Sequence, residues 1–141
     1  MIPVKKTGVK LHIGVDIAGL PHALLITPAD VTDRDGAIEM MEYYYDVTDH
    51  LDVVLKVLAD GGYRGDNFAQ AVASLGWAEV EVVKRNEQHK FSVIPQRWVV
   101  ERSFGWLDKC RRLWKNCERK LENTLQMVVV AFVRLLLKRR C

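Results

Sequence analysis

The chain has 141 residues, of which 49% are hydrophobic and 28% are charged, and these values are ordinary for one globular domain. Its first ten residues lack the apolar run of a secretory signal. Its most apolar stretch, Met127 to Leu137, contains Arg134 and is far shorter than the roughly 20 residues that cross a bilayer. We therefore expect a cytoplasmic protein without a membrane partner. Three cysteines without a paired spacing favour free thiols over a disulfide framework or a zinc site.

The net charge of +3 hides an asymmetry between the two parts of the chain. Residues 1–83 contain 6 Lys and Arg against 13 Asp and Glu, a net charge of −7, whereas residues 84–141 contain 15 against 5, a net charge of +10. A polyanion would approach from the C-terminal side, but a solvated basic helix face gives the same pattern. Charge alone therefore leaves both interpretations open.

A β-hairpin followed by a helix is predicted for the first part of the chain. Residues 10–16 alternate between polar and apolar like a strand, a turn sequence follows, and residues 22–27 form a second apolar run. The helical spacing of apolar residues over 36–45 predicts a helix, which Thr32 or Asp33 can cap.

A strand–helix–strand crossover is predicted next. Residues 52–59 are short, β-branched and almost continuously apolar, which predicts a strand covered on both faces. Asp66 can cap a helix over 67–75, Gly76 can end it, and residues 80–83 predict another strand.

The C-terminal part is predicted to be mainly helical. Residues 84–90 are polar and predict a loop, residues 91–94 predict a minor strand, and Pro95 suits the start of a helix. Two helices, over about 96–117 and 123–138, complete the chain.

Asp60 follows the predicted strand 52–59 and precedes two glycines. In open α/β sheets, ligands and reacting groups collect at the C-terminal ends of the strands. An Asp-Gly-Gly sequence is also an ordinary turn. This motif alone is compatible with both a catalytic and a structural role.

Glu101 lies on a predicted helix face that is polar and mostly basic. At about 100° per residue, the residues nearest to it on that face are Arg97, Gly105, Asp108, Arg112 and Lys115. The opposite side would pack on the sheet, and its members are Val99, Ser103, Trp106, Cys110, Leu113, Trp114 and Cys117. An ion pair with Arg97 or with the basic neighbours of Asp108 would explain an isolated glutamate. Gly105 costs helix stability and would let a backbone approach closely.

Considered together, these two acids suggest metal-dependent phosphoryl transfer. Carboxylates bind Mg²⁺ through oxygen, and two such ions about 4 Å apart can activate an attacking hydroxyl and stabilise the leaving oxygen. Basic neighbours would hold a phosphate backbone. We therefore expect Mg²⁺ as the cofactor and Asp60 and Glu101 as its ligands.

Several longer motifs carry a family resemblance. The chain contains Leu-Ala-Asp-Gly-Gly-Tyr-Arg at 58–64, Val-Lys-Arg at 83–85, Arg-Trp-Val-Val-Glu-Arg-Ser-Phe-Gly-Trp-Leu at 97–107 and Arg-Arg-Leu at 111–113. Together they resemble the insertion-sequence transposases of family five, within the family-four-like group of the Asp-Asp-Glu type. The likeness covers nearly the whole chain, and it includes the Arg-x-x-x-Glu spacing from Arg97 to Glu101.

The resemblance implies an α/β fold with a ribonuclease-H-like mixed sheet and flanking helices. It also implies that Asp60 is the second catalytic aspartate, that Glu101 is the catalytic glutamate, and that Arg97 supports them. DNA, as element ends and target, is the implied partner. The residues expected to contact its backbone are Lys84, Arg85, Arg102, Lys109, Arg111, Arg112 and Lys115.

The sequence departs from the family pattern at three places. Ile94 replaces a tyrosine of the signature, and Asp108 replaces a basic residue. The first catalytic aspartate belongs to a central strand that would precede the hairpin, and Asp16 at the hairpin turn is ordinary turn chemistry.

We therefore expect one N-terminally truncated catalytic domain that lacks the first, central strand. Residues 10–95 would form the sheet and crossover helices, and residues 96–140 would form the C-terminal helices that carry Glu101. The hairpin strand and the strand before Asp60 would then have unpaired edges or pair directly. Mg²⁺ would bind weakly, and activity would need an aspartate from elsewhere, such as an upstream reading-frame product.

Two alternative functions remain from the sequence. The chain could be a non-catalytic remnant that binds DNA or joins a transposase oligomer, or it could be a ribonuclease-H-like nuclease.

Overall fold

The computed structural model describes residues 8–48, 54–76, 79–82, 97–110 and 120–140. The described elements in chain order are β1 (Val9–Val15), β2 (Pro21–Pro28), α1 (Asp33–Val47), β3 (Val57–Ala59), a 3₁₀ turn (Gly61–Tyr63), α2 (Asp66–Ser74), β4 (Val80–Val82), α3 (Arg97–Asp108) and α4 (Leu121–Arg140). The predicted loop over 84–90 and minor strand over 91–94 lie outside the described residues.

The predicted hairpin is confirmed. Strands β1 and β2 pair antiparallel, with Leu11 opposite Ile26 and an irregularity between Gly14 and Val15. Because side chains alternate across a strand, Leu24 and Ile26 face α3 and α4, whereas Ala23 and Leu25 face α1. Helices therefore cover both faces of the hairpin, which explains why its second strand is apolar almost throughout.

Helix α1 begins with the predicted cap. The Thr32 hydroxyl accepts a hydrogen bond from the Asp35 amide at 3.2 Å, and the acids Asp33 and Asp35 lie in the positive first turn. The helix then buries Ala37, Met40 and Met41 against the hairpin. These contacts form the centre of the first apolar cluster, to which α2 adds its own buried residues.

The crossover is confirmed, with two corrections. Strands β3 and β4 are parallel and joined through α2, and Leu58 pairs with Glu81. Leu58 is 42% exposed, so the prediction of a strand covered on both faces is wrong: α1 and α2 cover only the face that carries Val57 and Ala59. The N-cap of α2 is Gly65 rather than Asp66, which lies inside the first turn.

Helix α3 is shorter than predicted. It ends at Asp108, where the Cys110 amide bonds the Leu107 carbonyl at 2.9 Å and closes a turn, and residues 111–117 lie outside the described residues. Its Leu107 packs with Ile26 of the hairpin and with buried residues of α4 in a second apolar cluster. No helix within the described ranges is long and apolar enough to span a membrane.

The described strands form two separate two-stranded sheets, β1–β2 and β3–β4. The mixed α/β class is thereby confirmed. Among the described strands, β1 does not pair with β3. The prediction that the hairpin strand and the strand before Asp60 pair directly is therefore wrong. The continuous ribonuclease-H-like sheet stays a prediction.

Candidate catalytic site

Asp60 lies where β3 ends, at the C-terminal edge of the parallel pair. Its side chain is exposed, and its Oδ1 accepts a hydrogen bond from the Gly62 amide at 2.9 Å, which begins the 3₁₀ turn. Arg34 of α1 donates from Nε to the Gly62 carbonyl at 2.9 Å and ties this turn to the helix. The turn role is thus present, and it leaves the carboxylate at the surface of the sheet edge.

Tyr63 closes the same turn from beneath. Its ring lies 5.3 Å from that of Phe68, and burial raises the pKa of its phenol, with the nearby carboxylates of Asp33 and Asp60 adding to the effect. The phenol therefore stays protonated and neutral beside Asp60. Sequence reasoning did not single out Tyr63 or Arg34, although Tyr63 belongs to the quoted motif at 58–64.

Glu101 lies on the exposed side of α3. Val99 is 3% exposed and Ser103 is fully buried, so the predicted docking side is confirmed at these two positions and Glu101 is directed away from it. The side chain of Arg97, which begins α3, is outside the described ones, so its supporting role stays a prediction. A Cβ atom at Gly105 would meet nothing within 4 Å, so the described residues show no backbone in close approach there.

Arg102, predicted to contact DNA, makes its described contacts with other parts of the protein. Its guanidinium lies 4.6 Å from the ring centre of Trp98 and 5.0 Å from that of Trp106, and its Nη2 donates to the Ala18 carbonyl at 2.5 Å. Stacking between two indole rings is a cation–π arrangement. This contact joins α3 to the turn of the hairpin.

The other predicted DNA contacts are only partly described. Lys109 is exposed just after α3 ends, as a backbone contact requires. Five further residues lie outside the described ones: Lys84, Arg85, Arg111, Arg112 and Lys115.

Asp16 is a turn residue, as predicted. Its Oδ1 accepts hydrogen bonds from the Ala18 amide at 2.8 Å and the Leu20 amide at 2.9 Å, and its Oδ2 lies 3.3 Å from His22 Nε2. Burial, the largest single influence, raises the pKa of its carboxyl, but the hydrogen bonds from Leu20, His22 and Ala18 together outweigh it and lower the pKa. The carboxylate is therefore held ionised for the turn.

The acids of this site fit Mg²⁺ in chemistry but fall short in number. Carboxylate oxygens are the donors that Mg²⁺ prefers, and Asp60 and Glu101 both present them at the surface. In the described parts of the chain, no group of three or more His, Cys, Asp and Glu side chains could hold a metal ion. Asp60 and Glu101 are thus two surface carboxylates whose role as ligands stays a prediction, and the described residues contain no complete coordination sphere.

Comparisons with known proteins identify the family. The family model described as "Transposase DDE domain" matches residues 4–136. A putative transposase for insertion sequence element IS402 from Burkholderia cepacia is 31% identical over 121 residues, which cover 83% of this chain and 57% of that relative. The match thus spans little more than half of the relative's length, and no solved structure matches. The chain belongs to the transposase DDE domain family and is related to insertion-sequence transposases of that type.

Proposed function

We propose that this chain supplies catalytic carboxylates and a DNA-binding surface to a transposase that cleaves and joins DNA strands. The observation that carries the proposal is the exposed Asp60 at the carboxyl edge of β3, in a chain whose family match extends over residues 4–136. Glu101, exposed on α3, is the second carboxylate. Because the match spans 57% of the curated relative, the activity of the whole protein is part of the proposal.

The two carboxylates bind and orient divalent metal in this proposal. Mg²⁺ held by these residues would supply activation of the attacking oxygen at a phosphodiester and stabilisation of the leaving oxygen. Asp60 keeps one oxygen on the Gly62 amide, which fixes the direction of the carboxyl group. Tyr63 remains protonated and adds no negative charge against the incoming phosphate.

Basic residues of the C-terminal part bind the DNA backbone. Residues 84–141 have a net charge of +10, from 15 Lys and Arg against 5 Asp and Glu, and Lys109 is exposed beside α3. Contacts between cations and phosphates release counterions, so the affinity for duplex DNA should fall steeply as salt rises. A gel-shift titration over increasing salt measures this slope.

Iron-directed cleavage of the polypeptide tests the metal site. Fe²⁺ takes the place of Mg²⁺, and with ascorbate and peroxide it cuts the backbone near the bound ion, which mass spectrometry maps. We expect cuts in the segments around Asp60 and Glu101, and excess Mg²⁺ should suppress both. Asp60→Asn keeps an acceptor for the Gly62 amide, so it should remove the cuts without unfolding the turn.

Matched controls decide the outcome. Glu101→Gln should remove the cut near Glu101, whereas Glu122→Gln, at an exposed acid on α4, should leave both cuts unchanged. Cuts that survive both Asp60→Asn and Glu101→Gln would refute the assignment of these ligands. Steep salt-dependent DNA binding without metal-directed cuts would instead favour the non-catalytic DNA-binding remnant.

A further inference from the structure

The guanidinium of Arg102 contacts the protein on several sides, and the residue is only partly exposed. Trp98 and Trp106 lie four residues before and after it on α3, and their rings flank it at 4.6 and 5.0 Å. One terminal nitrogen donates to the Ala18 carbonyl, and Nε is buried without a hydrogen-bond partner in the described part of the chain. A phosphate could not bind the donor that holds the Ala18 carbonyl without displacing that contact.

Ser103 makes a second contact with the same turn. It is fully buried, and its Oγ donates its hydrogen to the Gly19 or Val99 carbonyl, at 3.0 and 3.1 Å. A buried hydroxyl that lost these partners would be left unsatisfied, which is destabilising. The turn between β1 and β2 is therefore bonded to two successive residues of α3 that lie 84 positions away.

The conformation of Gly19 and its lack of a side chain allow this contact. Its φ of +83° is in the left-handed region, and a Cβ atom would lie 2.7 Å from Arg102 Nη2 and 3.4 Å from Cγ1 of Val99. A side chain at position 19 would strain the turn and displace the arginine at the same time. The turn and the helix thus fit each other closely at this point.

Glu101 is the residue immediately before this pair of contacts. Successive side chains on a helix differ by about 100° in direction, so fixing Arg102 and Ser103 on the turn also fixes the rotation of α3. Buried Val99, on the same side as Ser103, also resists rotation of the helix about its axis. The direction of Glu101 therefore depends in part on the Ala18–Gly19 turn.

We infer that Arg102 is a positioning residue, which orients Glu101 by holding α3 on the hairpin turn, and that it does not contact DNA. The inference rests on the proposed role of Glu101 as a metal ligand. Supporting shells around metal ligands are commonly worth about 10–100-fold in metal affinity or activity. Arg102 serves this purpose through the backbone of a distant turn.

Metal-directed cleavage of the full chain tests this inference through Arg102→Lys. Lysine keeps the charge but loses the planar group that stacks on two rings and reaches the Ala18 carbonyl. We expect the Fe²⁺-directed cut near Glu101 to fall about tenfold relative to the cut near Asp60, with the circular dichroism spectrum unchanged. A merely structural role would lower both cuts together, and that result would overturn the inference.

Further variants separate the possible outcomes. Gly19→Ala disturbs the same contact from the turn and should give the same selective loss, so the test does not depend on one variant folding. Arg134→Lys makes the same exchange at an exposed arginine of α4 and should change neither cut.

DNA binding provides the last discriminating measurement. If Arg102→Gln lowers the salt slope of duplex affinity by about 1 while both cuts persist, Arg102 contacts phosphate and the inference is wrong. Absence of both cuts in the wild-type chain would instead refute the proposed metal site. If the wild-type chain gives both cuts and no Arg102 variant changes either of them, only the positioning role is refuted.

Discussion

The contact between His12 and Gly36 gives the sharpest test of the packing that supports the hairpin. The His12 side chain lies on β1 against α1, is 7% exposed, and has its Nε2 2.9 Å from the Thr27 hydroxyl. A Cβ atom at Gly36 would lie 2.9 Å from Cδ2 of His12 and closer still to Cε1 and Nε2. Gly36→Ala must therefore displace the ring, because real Cβ atoms do not approach other atoms so closely.

Three effects determine the size of the change. Overpacking costs about 1–3 kcal/mol, and the loss of the bond to buried Thr27 adds about 1–3 kcal/mol. Alanine inside a helix returns about 0.5–1 kcal/mol relative to glycine. Together these effects span about 1–5.5 kcal/mol, and we expect Gly36→Ala to lower the free energy of unfolding by about 3 kcal/mol, near the middle of that range.

Urea denaturation followed by circular dichroism measures this change, and His12→Ala supplies the control. Removing the imidazole makes room for the new methyl group, so in that background Gly36→Ala should be neutral or stabilising by about 0.5–1 kcal/mol. If Gly36→Ala costs the same free energy with and without the imidazole, the clash is not the cause and this reasoning fails.

Two further predictions concern pH and the face of Glu101. Burial lowers the pKa of His12; the charge of Lys10 lowers it further, and the charges of Asp33 and Glu39 oppose the shift. Just below the unfolded pKa of 6.5, the unfolded chain therefore binds more protons than the folded chain. The contribution of His12 to stability should therefore be fully present above that value and be lost as the pH drops through the folded pKa. Between about pH 5 and 7.5, the urea midpoint should change less with pH in His12→Gln than in the wild-type chain. Gly105→Ala should raise the free energy of unfolding by about 0.5–1 kcal/mol, because its Cβ meets nothing within 4 Å, and a midpoint that does not rise would show that this space is filled.

Local sequence rules predicted the hairpin and α1 because the relevant interactions are close in the chain. Thr32 caps through a residue three positions on, and the Asp16 turn closes within four. The cap of α2 was predicted one residue too late, at Asp66, because the rules favour a side-chain acceptor. The observed cap, Gly65, makes no side-chain bond and instead has a φ of +131°, which suits glycine.

Burial was harder to predict than strand position. The apolar run before Asp60 predicted coverage on both faces, whereas Leu58 is 42% exposed opposite the face that α1 and α2 cover. Apolar character shows that a residue can be buried, but the arrangement of the helices decides whether it is. The same limit applies to Asp60 and Glu101, since their spacing in the sequence does not determine the distance between their carboxyl groups.

The contacts of Arg102 with the hairpin turn are a feature of the candidate site that local sequence patterns do not predict. Helical periodicity correctly placed Ser103 on the docking side, but the carbonyls that hold Arg102 and Ser103 come from a turn 84 positions earlier. A usable signal was nevertheless present, because Trp98 and Trp106 flank Arg102 at intervals of four residues, the spacing at which helical side chains meet. An arginine between two such tryptophans gains by stacking on both, which holds its guanidinium against the protein. Charge and family resemblance both favoured a phosphate contact for Arg102, and the aromatic spacing is the local observation that separates it from exposed Lys109.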